Sequence, residues 1–78
     1  MSRELNAIGA DIKSNWSNVN YAAVPYLDAL CHLKTIDDKF YQDDAKTIIL
    51  YFLSNAKGWK GIKAKNIKTE LKNILIGK

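Results

Sequence analysis

The sequence predicts an all-α fold, a small irregular bundle of about four helices at approximately 3-14, 22-34, 44-57 and 62-76, with the third helix central. Three observations predict it. Apolar residues recur three and four places apart along most of the chain, no stretch sustains two-residue alternation, and helix-end signals such as Asp43 and Gly58 flank the periodic segments. At 78 residues there is room for one hydrophobic core, so residues 1-78 are read as a single helical domain.

In the first segment Leu5, Ile8 and Ile12 form a narrow apolar stripe with Gly9 beside it, and Ser2 is placed to cap the start. The polar stretch Ser14 to Asn20 ends this helix, and Trp16 is expected to fold back as a lid on the core. In the second, Ala22, Ala23, Tyr26, Leu27, Leu30 and Leu33 cover one broad face. Pro25 is comfortable only in a first helical turn, so the regular helix begins near Val24 or follows a kink. Thr35 to Gln42 is read as a connection, with Ile36 and Phe40 spaced to touch the core.

The third helix has both ends marked: Asp43 as N-cap, Asp44 at the positive end of the dipole, and Gly58 as the left-handed residue after Lys57. Ala45, Ile48, Ile49, Phe52, Leu53 and Ala56 cover a wide arc, with Tyr51 at its flank and Leu50 on the polar side among Lys46, Thr47, Ser54 and Lys57. After a loop holding Trp59 and Gly61, Ala64, Ile67, Leu71, Ile74 and Leu75 define an amphipathic fourth helix that Gly77 ends.

Composition narrows the function classes. A hydrophobic fraction of 47% with 26% charged residues excludes a disordered chain. The longest apolar run, Ile48 to Leu53, is far short of a membrane span, and the N-terminal residues carry no apolar signal core. Cys31 is the only cysteine, so no internal disulfide is expected; together these readings predict a cytoplasmic location, with no membrane role expected.

The formal charge of +4 is uneven: residues 1 to 56 carry five basic and seven acidic side chains, whereas residues 57 to 78 carry seven lysines and one acid, Glu70. On a helical projection Lys65, Lys68 and Lys72 share one flank, with Lys63 and Glu70 on the other. Such a strip attracts phosphates, with Lys60 a further contact and Trp59 a stacking platform at its head, although lysine-rich helix faces are commonly just solvated. A helix-turn-helix built from the last two helices fits poorly, because Lys57 to Gly61 is longer than the usual turn and holds a bulky tryptophan.

Other constellations read as structural. Cys31 and His32 are adjacent and point about 100° apart on a helix, so they make no nucleophile and base pair; Asp28 and His32 face each other and are expected to form a surface ion pair. Asp37, Asp38, Asp43 and Asp44 lack the spacing, glycine and terminal glutamate of a calcium loop and are read as caps and solvated loop residues. No catalytic residue, metal site, cofactor or small-molecule ligand is implied, and the chain is not expected to be an enzyme. The expectation is a small interaction module that contacts itself or another protein through Leu50, Tyr51 and Trp59. The alternative is nonspecific nucleic-acid binding through Lys60, Lys65, Lys68 and Lys72. Tyr41, Tyr51 and Trp59 are the aromatics expected to be partly exposed.

Overall fold

The Ser2 cap expected for the first helix lies outside the residues, 3–77, that the computed structural model describes. Helix α1 spans Leu5–Asn15, with Glu4 at the N-cap in extended conformation, and buries Leu5, Ile8, Gly9 and Ile12. Gly9 is needed for close approach: a Cβ there would lie 2.8 Å from Cys31 Sγ and 3.2 Å from the Cys31 backbone nitrogen. The Leu5 N–H donates to the Lys34 carbonyl at 2.9 Å, tying the start of α1 to the chain that leaves the next helix.

A 3-10 turn, Tyr21–Ala23, leads directly into α2, Val24–Leu30, which places Pro25 in the first turn where its missing N–H costs nothing. The helix expected over 22-34 is therefore shorter at its end. The cause is Asp38, whose carboxylate accepts the Lys34 N–H at 2.9 Å and the Thr35 N–H at 3.1 Å and so takes donors that a longer helix would have used. The preceding residues close with tighter bonds, His32 N–H to Ala29 O and Leu33 N–H to Leu30 O, which still bury Leu33.

The fold is a small, mostly helical bundle, as expected, with one small addition. Lys39–Phe40 (β1) and Asp43–Asp44 (β2) form a two-stranded antiparallel hairpin, too short for any alternation to register in sequence. Tyr41, in its two-residue turn, has φ 59°, a conformation unfavourable for a side-chain-bearing residue by about 1 kcal/mol or more. Ile36 and Phe40 pack half-buried on the core as expected.

Helix α3 spans Ala45–Asn55. Its cap is Asp44, not Asp43: the hairpin runs on through Asp44, opposite Lys39, so the first helical residue is Ala45, and Asp44 Oδ1 accepts the Thr47 N–H at 2.8 Å. Gly58 is not the left-handed residue either, because the helix closes at Ala56 and a tight turn, Trp59 N–H to Ala56 O at 3.0 Å, follows. The left-handed glycines are Gly61 (φ 114°) and Gly77 (φ 77°), which open and close α4, Ile62–Leu75. Helix α3 packs against α2, α4, the 3-10 turn and the hairpin, and α4 packs against α1 and α3. The buried residues form one cluster with Phe52 fully enclosed; Trp16 does close it as a lid, edge-on to Phe52 and stacked on Trp59. No helix among the described residues is long and apolar enough to cross a membrane.

Candidate functional site

Helix α4 buries Ala64, Ile67 and Leu71, and this fixes where its charges go. With about 100° between successive residues, burying that stripe leaves Lys65, Lys68 and Lys72 along one flank and Lys63 with Glu70 along the other. Lys60 joins the first group from outside the helix. The chain reaches α4 through Gly61 at φ 114° and ψ 172°, a backbone region essentially confined to glycine, and this turn sets Lys60 beside the lysine flank.

Trp59, Lys60, Gly61, Lys65, Lys68, Thr69 and Lys72 together line one open depression of about 440 Å³. Lys68 is its anchor. Its Nζ donates to the Trp59 carbonyl at 2.6 Å, which draws the ammonium partly out of water. Burial first, then repulsion from Lys72 and Lys60, lowers its pKa below the ordinary lysine range. None of the ion pairs among the described residues involves Lys60, Lys65, Lys68 or Lys72. An anion entering the depression would therefore meet four cations with no carboxylate to displace.

The opposite flank is neutralised internally. Arg3 binds Glu70 through both carboxylate oxygens, at 2.7 and 3.0 Å, and Asp11 at 3.0 Å, while Lys63 reaches Asp11 at 3.3 Å. Hydrogen bonds from Arg3, the largest cause in both cases, hold the Glu70 and Asp11 carboxyls below their usual range. Asp44 is lowered by its bonds to Thr47, and Asp38 by the backbone N–H groups of Thr35 and Lys34. A carboxyl with a depressed folded pKa binds fewer protons than it does in the unfolded chain, so its stabilisation is complete above the unfolded value, about 4. It is lost as pH falls through the folded value. Circular-dichroism melts from pH 7 down to pH 2 should show a constant midpoint to about pH 5 and a steady fall below about pH 4.

Of the residues expected to form a protein contact, two are exposed neighbours and one is buried. Leu50 and Tyr51 are 54% and 51% exposed on α3, with the Tyr51 ring 5.3 Å from that of Tyr26. Trp59, expected at the surface, is only 5% exposed, because its ring stacks on Trp16 at 5.3 Å and 10°. Its carbonyl oxygen accepts from Lys68. Tyr41 is exposed as expected, and Tyr21, which the sequence did not single out, is 91% exposed.

The Asp28 and His32 ion pair does not form. His32 Nδ1 lies 2.8 Å from the Asp28 backbone carbonyl, to which it donates as a cap on the end of α2, and the Asp28 carboxylate pairs with Lys13 at 3.2 Å. Cys31 is half-buried beside Gly9.

No protein-family model, curated protein or solved structure matches this chain.

Proposed function

We propose that this domain is a non-enzymatic binding module whose lysine-lined depression takes the phosphate backbone of nucleic acid. One observation carries the reading: Lys60, Lys65, Lys68 and Lys72 converge on a single concavity with no acidic partner, while the acid of the same helix, Glu70, is tied to Arg3 on the far side. Folding lysines together without counterions costs electrostatic energy, and a phosphate strand offsets that cost by neutralising them and releasing its own condensed cations. Because Trp59 is buried, stacking on bases contributes nothing at this end, and the contact is to phosphate. A cytoplasmic location accords with the lone thiol, Cys31, which is free.

Fluorescence anisotropy with a labelled DNA duplex tests the proposal. Binding is expected at low ionic strength and should weaken progressively as salt is added; a chain that leaves the duplex free at low salt has another function.

A second reading, self-association through α3, has the exposure of Leu50 and Tyr51 behind it. It predicts a dimer in size-exclusion chromatography with light scattering that Leu50→Asp converts to monomer; a monomer unaffected by the substitution excludes it.

A further inference from the structure

The outermost strip of α4 is unlike a solvated helix face. Ile62, Asn66, Thr69, Asn73 and Ile76 lie furthest from the buried stripe of Ala64, Ile67 and Leu71, and all five are exposed, Ile62 at 82% and Ile76 at 66%. None carries a charge. Lysine and glutamate, which ordinarily occupy the most exposed position, are displaced here to the two flanks. Among the described residues no side-chain hydrogen bond uses Asn66, Thr69 or Asn73, so their donors and acceptors face solvent. Ile62 and Ile76 sit at opposite ends of the helix, about 20 Å apart. The strip is therefore not one apolar patch, which argues against a protein contact driven by burial.

Resting on the phosphate reading above, we infer that α4 enters the major groove of duplex DNA, with Asn66, Thr69 and Asn73 against base edges and Lys60, Lys65, Lys68 and Lys72 along one phosphate strand. A major groove about 12 Å wide admits one α-helix, and a helix of 14 residues presents positions one turn apart to successive base pairs. An asparagine amide pairs with both N6 and N7 of adenine, and the methyl groups of Thr69 and Ile62 suit the thymine methyl, so the expected site is rich in A·T pairs. The lysine flank lies beside Thr69, which lines the same depression, so one docking satisfies both sets of contacts. Duplex RNA has a major groove too narrow for a helix and should be held by phosphate contacts alone.

The experiment is selection of the full chain on a pool of randomised DNA duplexes, followed by anisotropy titrations of wild type, Asn66→Ala/Asn73→Ala and Lys65→Glu/Lys68→Glu/Lys72→Glu. Wild type should enrich an A·T-containing site and bind it at least about tenfold more tightly than random duplex. The asparagine variant should lose that preference yet keep its affinity for random duplex within about twofold, which also shows that it is folded; the lysine variant should lose both. Salt-sensitive binding with no enriched sequence overturns the inference and leaves the phosphate reading standing. No binding to any duplex overturns both. An asparagine variant that keeps the preference, or that instead changes molar mass in light scattering, makes the strip something other than a base-reading face and overturns the inference.

Discussion

Replacing Trp59 with alanine should destabilise the domain by about 3–5 kcal/mol. The indole is 5% exposed and stacks on Trp16, which in turn meets Phe52 edge-on, so its removal opens a void against Trp16 and takes away one side of that ring's support. A domain of this size has on the order of 4–12 kcal/mol in total, and the midpoint of thermal unfolding should drop by roughly 20 °C. Trp59→Phe, which keeps a ring in the stack, should cost far less. The measurement is discriminating because a surface stacking platform would behave in the opposite way: its removal would weaken binding and leave the melt unchanged. In this fold, loss of binding by Trp59→Ala follows from loss of structure, since the Trp59 carbonyl positions Lys68.

Charge reversal of the lysine flank should have the largest effect on binding. Lys65→Glu/Lys68→Glu/Lys72→Glu moves the formal net charge from +4 to −2 and places three carboxylates where a phosphate strand would run. A loss of duplex affinity on the order of a hundredfold or more is expected, since each lost lysine contact removes a counterion-release contribution and each new carboxylate repels phosphate. The control is Lys34→Glu/Lys39→Glu/Lys46→Glu, which makes the same change in net charge at exposed positions outside the depression. If the site is local, the control loses only the modest, long-range part of the attraction, which salt screens. Equal losses in the two variants would mean that binding follows total charge and that the depression is not a site.

Helix α4 was legible because its signals are local: Ala64, Ile67 and Leu71 set the buried stripe, the lysine flank follows by spacing, and Gly77 ends the helix in left-handed conformation. Joining Lys60 to that flank required the backbone of Gly61, which sequence marks as a glycine but not as a turn at φ 114°. Trp59 was misplaced for a different reason. Flanked by Gly58 and Gly61, it reads as a loop aromatic, whereas in the fold it joins the core and stacks on Trp16, 43 residues earlier in the chain. Asp43 and Asp44 are equally competent caps by residue type, and the choice is made by the hairpin, which extends through Asp44 and so delays the start of α3 to Ala45. That hairpin left no trace in the pattern, since its strands are two residues long and its turn uses Tyr41 where glycine or asparagine would announce it. The neutral strip of Ile62, Asn66, Thr69, Asn73 and Ile76 is legible in the spacing alone, since these are the positions furthest from Ala64, Ile67 and Leu71 at 100° per residue.

The central claim, that four converging lysines neutralise phosphates, is tested most directly by the slope of log association constant against log salt concentration for wild-type chain and duplex DNA. Each neutralised phosphate contributes about −0.9, so four lysines predict a slope of about −3 to −4, beginning from measurable binding at about 20 mM salt. A slope near zero, or no binding at that salt concentration, would contradict it.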